Sequence, residues 1–412
     1  MIELDSSVLI VGGGIVGLSL CHALKNQGIS SIVFERDAVQ SRSQGWALSI
    51  HWCKLLLENM LGPELAAKLP TAAVDPSWPQ SNLKWDTLDA RDCSIMYRLP
   101  TAGRFIRANR PKLRKLLSDG LDLRMSKSFS HYELLEHNEG VRCHFTDGTS
   151  YTGKFLVGCE GGASPVRAQL VGDAGKLSPL LITSLAVVQT LADEEVSPIR
   201  SIDGLLFQAI QPDTQTFLWH SIQGVDKGKG TCDMLTYISY PISDFQSGLP
   251  MDASDEEVIA DMKKHTVGFA EPLKSLVMNI KPGSPVTRIQ LRDWISQPWK
   301  GGNGCVTLAG DAAGPMTMYR GEGVNHGVLD AFWLSRTIAE IINSETMDPK
   351  AALKAYESNL CKRRQFSVPL SRQACLDAHH IPQKDSPLVN VYKIPTNELD
   401  DAMRLCTVEA AQ

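Results

Sequence analysis

No C-x-x-C pair and no Cys/His cluster at metal-ligand spacing occurs in this 412-residue chain, although it carries ten cysteines. That scatter excludes a zinc ribbon and a disulfide-stapled scaffold, and it suits a reducing compartment. There is no basic block, and a net charge of −5 gives no reason to expect nucleic acid or an anionic membrane as partner. Long apolar runs are nearly absent too. The one from Val8 to Leu24 holds four glycines and has an acidic rather than a basic flank, so it reads as neither signal nor span. Low-complexity tracts and internal repeats are missing. What remains, 43% apolar and 21% charged residues, can bury a large core divided between two domains. The expectation is a cytoplasmic globular protein with no membrane anchor.

The chain's first signal is Ser7-Val8-Leu9-Ile10-Val11, a buried parallel strand running into Gly12-Gly13-Gly14-Ile15-Val16-Gly17. Gly12, Gly14 and Gly17 fit G-x-G-x-x-G: a tight turn, close approach of backbone to a diphosphate, and close packing of helix on strand. The helix runs to about Gln27, Gly28 ends it, and Ser31-Ile32-Val33-Phe34 delivers Glu35, with Arg36 beside it, to a strand tip. An acid roughly 20 residues beyond the glycines can bond ribose hydroxyls, and it disfavours a 2′-phosphate.

A second signal lies far along the chain. Leu308-Ala309-Gly310-Asp311-Ala312-Ala313-Gly314-Pro315 is followed by Gly321-Glu322-Gly323-Val324-Asn325 and an apolar helical run from Gly327. An acid after a strand, then proline and a glycine-rich turn opening a helix, suits a ribityl-diphosphate whose ring lies against bare backbone. The N–H groups that start the helix after Gly323 can stabilise negative charge.

Two shorter pieces stand between. Ile106-Arg107-Ala108-Asn109-Arg110-Pro111 opens a helix in which Pro111 suits the first turn and Leu113, Leu116 and Leu117 share a face, leaving Arg110 at its entrance. Lys154 to Gly158 reads as a strand ending in a Glu160-Gly161 turn, then a helix capped by Ser164 with Pro165 at its first position. Ahead of that strand, residues 134–137 and 141–146 read as a hairpin, and Asp147-Gly148 turns into the next strand.

With these pieces in this order, the chain resembles the class A flavoprotein monooxygenases, the group of the para-hydroxybenzoate and salicylate hydroxylases and of fungal biosynthetic hydroxylases. The resemblance covers roughly residues 6 to 380 and rests on Gly12, Gly14, Gly17, Glu35, Arg110 in R-x-x-L, Glu160-Gly161 and Gly310-Asp311. It implies an α/β fold: a glutathione-reductase-like, Rossmann-type FAD-binding domain, a smaller mixed β-sheet substrate domain, and C-terminal helices. The implied division gives residues 1–75, 103–178 and 286–380 to FAD, residues 76–102 and 179–285 to substrate, and 381–412 to a C-terminal extension. Cofactor residues would be Gly12, Gly14, Gly17, Glu35, Arg36, Arg110, Asp311, Pro315, Gly321, Gly323, Val324 and Asn325.

The family's chemistry would use NADPH or NADH as a transient reductant, form a flavin C4a-hydroperoxide with O2, and insert one oxygen atom into a small hydrophobic aromatic, polyketide, indole or terpenoid metabolite. The partners are then a small hydrophobic substrate and O2, in a monomer or homodimer. No second G-x-G-x-x-G occurs, in keeping with a reductant that has no Rossmann fold of its own, and no W-x-W-x-I-P marks the halogenase branch. Three departures stand out: Glu160 where the family carries aspartate, Gly314 where many relatives carry histidine, and the Tyr319-Arg320 pair. Glu160 leaves open an oxidase, dehydrogenase or cyclase without NAD(P)H use, and a flavin-binding partner without turnover is a third reading.

Substrate-domain strands are expected at 205–210, 216–220 and 234–240, with Trp219, His220, Tyr237 and Tyr240 as candidate wall residues. Residues 286 to 300, including Arg288, Asp293 and Trp294, would mark the domain join. No catalytic acid or base declares itself. The candidates at the reacting centre are Gln44, Trp46, Tyr237 and Arg320.

Overall fold

The structure is a computed structural model describing residues 4–39, 46–79, 84–99, 105–136, 139–250, 252–390 and 397–409. Its strands up to the middle of the chain are β1 (Ser6–Val11), β2 (Ser31–Phe34), β3 (Leu48–Ile50), β4 (Trp85–Asp89), β5 (Ile95–Leu99), β6 (Ile106–Ala108), β7 (Leu123–Arg124), β8 (Phe129–Leu134), β9 (Val141–Phe145) and β10 (Ser150–Gly158). There follow β11 (Ser178–Pro179), β12 (Ile182–Ala192), β13 (Leu206–Gln211), β14 (Thr216–Asp226), β15 (Thr231–Pro241), β16 (Val286–Arg288), β17 (Arg292–Asp293) and β18 (Val306–Leu308). The helices are α1 (Ile15–Asn26), α2 (Lys54–Ala66), α3 (Arg110–Ser118), α4 (Pro165–Val171), α5 (Asp193–Arg200), α6 (Asp255–Lys264), α7 (Leu273–Met278), α8 (Gly323–Asn343), α9 (Pro349–Asp377) and α10 (Glu398–Glu409).

The first sheet is a parallel stack, β7-β2-β1-β10-β18, with an antiparallel β9-β8 hairpin attached to β10. Strand β10 is long enough to serve both. Ser150–Gly153 pair with β9, and Leu156–Gly158 pair with β18 along the edge that β9 has left. Val8, Leu9, Ile10, Leu156 and Val157 are fully buried, as a sheet covered on both faces requires. Helix α1 packs on β1 and β2, α2 and α8 pack on α1, and Tyr356 of α9 donates to Leu308 O of β18.

The second sheet runs β16-β12-β15-β14-β13-β4-β5 and is mixed, because β13 and β4 pair parallel within an otherwise antiparallel set. Its strands outrun the lengths read from sequence: β14 and β15 are 11 residues each. The reason is continued burial, since Ser221, Ile222 and Gln223 beyond the first predicted segment and Cys232 ahead of the second are buried. The predicted hairpin strand at 134–137 lies further upstream, at Phe129–Leu134, where only Tyr132 is buried and polar residues cover the outer positions. Among the described residues, no helix is long and apolar enough to cross a membrane.

Local chemistry explains the helix starts that frame the site. The Asn109 side chain accepts from Lys112 N to cap α3, and the Ser164 hydroxyl accepts from Arg167 N to cap α4; each has proline in the first turn.

Candidate functional site

Two hollows meet at the carboxyl ends of the parallel strands. The first, about 170 Å3, lies between the β1–α1 turn, the tip of β2 and the start of α3, and is lined by Gly12, Gly14, Glu35, Arg36, Arg110, Arg114 and Glu160 among others. The second, about 480 Å3, is roofed by the second sheet and lined by Trp46, Trp85, Trp219, Tyr237, Asp311, Gly321, Gly323 and Val324 among others. Arg110 lines both. The larger is in the range of roughly 300–1,000 Å3 usual for small-molecule sites.

The glycine turn is shaped for close approach. Gly12 has φ +114, and a Cβ there would stand 2.5 Å from the Cys159 carbonyl carbon; one at Gly17 would stand 2.2 Å from Gly12 O. Nothing lies within 4 Å of the Cβ position at Gly14, so the turn is packed on its protein side and open on its cleft side. A diphosphate fits that opening, ahead of the free N–H groups of α1.

Glu35 projects from the end of β2 as expected, yet it is engaged. Arg114 Nη2 donates to its Oε2 at 2.6 Å, Arg114 Nε donates to Gly13 O at 2.6 Å, and Asp37 N donates to Oε1 at 3.0 Å. Arg114 went unnoticed in the sequence, although it sits one helical turn beyond Arg110 on the same side of α3. Arg36 is exposed at the rim, 3.8 Å from Asp37.

At the other end, Asp311 opens onto the larger cavity, and a Cβ built on Gly323 would stand 3.6 Å from Asp311 Oδ1, so the two glycine-rich stretches do converge. Both groups are open to the cleft, and the protein walls around it take water from them. That desolvation raises the Asp311 carboxyl, opposed by the charges of Arg364 and Arg110, and lowers the Arg110 guanidinium, opposed by Asp311. The first backbone N–H groups of α8, at Gly323 and Val324, open onto the same space. Val16 joins the chain's two ends: Cβ positions at Gly310 and Gly327 would lie 3.0 and 2.5 Å from its Cγ2.

Pro315 and Asn325 do not line either hollow. Pro315 is buried and its carbonyl accepts from Trp294 N. Asn325 Nδ2 donates to Ser49 O at 2.9 Å and to Gly321 O at 3.1 Å, while its Oδ1 accepts from His51 N at 3.0 Å. It ties β3 to the start of α8 and shapes the turn from behind. Arg320 does not line either hollow; it is held in an ion pair with Glu322 (2.9 Å) and in bonds to the Pro387 and Asn390 carbonyls. Gln44 lies outside the described residues.

Strand alternation sorts the aromatic candidates. Trp219 and Tyr237 are cross-strand partners and face the cavity. His220 packs behind them on Phe207, and Tyr240 stacks on His265 with its hydroxyl on Asp261. Trp46 meets the Tyr237 ring edge-on at 6.0 Å. From the cavity, Tyr237 Oη lies 2.9 Å from Tyr319 Oη, which lies 2.7 Å from Ser239 Oγ, itself 2.9 Å from His379 Nε2. Such a chain can move a proton between the cavity and the C-terminal helices.

Behind the flavin turn stands a buried cluster that the sequence did not announce. Asp330 accepts from Arg363 Nη2 (2.6 Å), Arg364 Nη2 (2.7 Å) and Gly310 N (2.9 Å), while Arg364 Nη1 donates to Gly314 O (3.2 Å). Gly314 leaves room for this: a Cβ there would come within 2.8 Å of Arg364 Cδ. Asp293 and Trp294 are fixed nearby, by Arg372 and by the Ala174 carbonyl.

A parallel sheet whose first turn is open to a diphosphate, with an acid at the tip of β2 and a second acid at a helix start beside an aromatic cavity, defines a dinucleotide-binding flavoprotein. The family profile described as FAD binding domain matches residues 5–368. An FAD-dependent monooxygenase of Emericella nidulans, dbaB, is 38% identical over 340 residues, spanning 80% of this chain and 86% of its own. A probable FAD-dependent monooxygenase of Arthroderma benhamiae is 33% identical over 407 residues, 93% and 94% of the two chains. Klebsiella pneumoniae HpxO, solved with FAD and uric acid, superposes with a TM-score of 0.71 at 20% identity over 99% of this chain and 97% of its own, a likeness of fold. The chain belongs to the FAD-binding-domain family of FAD-dependent monooxygenases.

Proposed function

We propose that this enzyme uses NAD(P)H and O2 to insert one oxygen atom into a small aromatic metabolite held in the cavity between its two sheets. The observation that carries the reading is the junction at Arg110, where a cleft suited to a dinucleotide opens into an aromatic-walled cavity with Asp311 and the start of α8 at its mouth. When bound, FAD supplies the activation of oxygen, which no side chain here can supply. The protein's own part is to bind, orient and exclude water. Gly12, Gly14 and Gly17 would receive the diphosphate, Glu35 the adenosine ribose, Asp311 the ribityl chain, and the α8 N–H groups the pyrimidine edge of the ring. Residues 76–102 and 179–285 would form the substrate half, with Trp46, Trp219 and Tyr237 against the substrate. Tyr237 and the hydroxyl chain behind it would move a proton on or off the substrate oxygen.

Glu160 favours a second reading. Its Oε1 accepts from Val166 N at 2.8 Å, and burial raises its carboxyl to about 7 beside the diphosphate cleft, in a turn that the family resemblance shares between FAD and NAD(P)H. An oxidase, dehydrogenase or cyclase on the same fold would not need NAD(P)H there.

The experiment is the visible spectrum of the purified protein before and after anaerobic NADPH, followed by turnover under labelled O2. Flavin bands that bleach, and label in the product, are expected. Bands that persist, or a product without label, would move the oxidase or cyclase to the front. Asp311→Ala should purify colourless; a yellow variant would remove the ribityl role.

A further inference from the structure

The β8–β9 hairpin carries a side-chain cluster with no part in the site described above. His131 and Glu133 of β8 lie two residues apart, so strand alternation puts them on one face, while Tyr132 between them is buried on the other. In the antiparallel register His131 stands opposite His144 of β9, which shares that outer face because its neighbour Cys143 is buried. His131, Glu133 and His144 line neither the cleft nor the cavity. Linear spacing hides the cluster, because its third member comes from the partner strand.

The three side chains offer one ligand atom each, all within 4.8 Å of one another. His144 Nε2 lies 3.4 Å from Glu133 Oε2, and His131 Nε2 lies 3.8 Å from Glu133 Oε1. Both separations exceed the about 2.7–3.2 Å of a good N–H···O hydrogen bond. They are close to the edge of a tetrahedral metal site, in which two ligands each about 2.1 Å from one ion stand roughly 3.4 Å apart. His144 Nε2 is closed to solvent and has no hydrogen-bond partner among the described residues, a cost that coordination removes. The Ser130 hydroxyl lies 3.2 Å from His131 Nδ1 and can accept a hydrogen bond from it, which leaves Nε2 as the nitrogen with the lone pair. The two imidazoles are stacked in parallel with centroids 4.4 Å apart. One ion cannot lie in both ring planes at once, so binding turns each ring about its Cβ–Cγ bond. Exposures of 50% at His131 and 26% at His144 leave room for that turn.

We propose that His131, Glu133 and His144 form a surface site for a divalent transition-metal ion of the zinc class, with water completing the coordination. Two imidazole nitrogens and one carboxylate suit such an ion, whereas magnesium and calcium take oxygen ligands. The ion ties β8 to β9 across the hairpin. That tie is close to the cofactor cleft in sequence, since β8 starts at Phe129, and Lys127, Ser128 and Phe129 line the cleft. The site is independent of the monooxygenase reading.

The test is calorimetric titration of the FAD-loaded enzyme, cleared of metal with EDTA and dialysed, with zinc chloride. Wild type should show one tight zinc site per chain. His131→Ala, Glu133→Ala and His144→Ala should each weaken that binding by about tenfold or more, at least the loss typical of an outer-shell partner. None of the three side chains is in the core, so the flavin spectrum of each variant should match wild type and show that it is folded. Cys93→Ser removes the one thiol that is not buried and should bind zinc as wild type does. No saturable zinc binding by wild type, a weakening of less than about tenfold in any one of the three variants, or loss of binding in C93S would overturn the proposal. The wild-type titration and the remaining variants decide the matter even if one variant does not fold.

Discussion

Glu160 shows how one side chain can read differently in sequence and in structure. In sequence it is an extra methylene where the family resemblance implies aspartate; in the fold it is a carboxyl raised by burial from its ordinary 4.5 to about 7. The raised folded value means the contribution to stability is fully present below the unfolded pKa and is lost as pH rises through the folded one. Glu357, raised by burial to about 7 and bonded by the Thr307 hydroxyl, adds to the same window. Stability should therefore fall between roughly pH 4.5 and pH 7, by on the order of 3 kcal/mol for each group. Glu160→Gln should remove its share of that slope in denaturant titrations and leave the share of Glu357. A slope unchanged in E160Q would mean that Glu160 is ionised throughout. Glu35 is the converse case: its acid was legible, but its partner Arg114 was not, because a charge on a helix carries no sign of what it will meet.

Among elements, α8 does most to build the site. Its first turn gives the cavity free N–H groups, and two turns on, Asp330 reaches back to Gly310 N and forward to Arg363 and Arg364 on α9. Asp330 is fully buried, and its neighbours' charges hold its carboxyl below the usual range against the opposing effect of burial. Asp330→Asn would leave two buried guanidinium groups without their shared anion, at a cost of roughly 3 kcal/mol or more. The midpoint of urea unfolding should drop accordingly, and FAD should bind less tightly because Gly310 loses its anchor. A variant with an unchanged midpoint would show that the cluster is not a structural tie. The helix start was readable from Gly321 to Asn325, since glycines and an apolar run make a local pattern. The Asp330 cluster was not readable, because Asp330 lies more than thirty positions from Arg363 and Arg364 and meets them only when α8 packs on α9. Trp219 and Tyr237 give the same lesson in strands: alternation says that half the aromatics face inward, and only the register of β14 on β15 says which half.

For the whole molecule, the cofactor cleft lies within the first sheet's layer and the aromatic cavity lies between the two sheets, so FAD should brace the fold. Saturating FAD at about a hundred times its dissociation constant adds roughly 2.7 kcal/mol to stability by mass action, which for a chain of this size means a rise of a few °C in the calorimetric midpoint. No shift on adding FAD would contradict a site formed in the native state.

Fold class, the order of the flavin motifs and the two kinds of sheet were determined by the sequence alone, because each rests on a pattern a few residues long: glycines before a helix, an acid at a strand tip, an apolar run of strand length. The convergence of Gly310 and Gly327 on Val16, the ion pair of Arg320 with Glu322, the partner of Glu35 and the shared anion of Arg363 and Arg364 were decided only by the tertiary structure. Each depends on which distant segments are brought within a few ångströms, and a linear pattern holds the chemistry of a side chain but not the company that burial gives it.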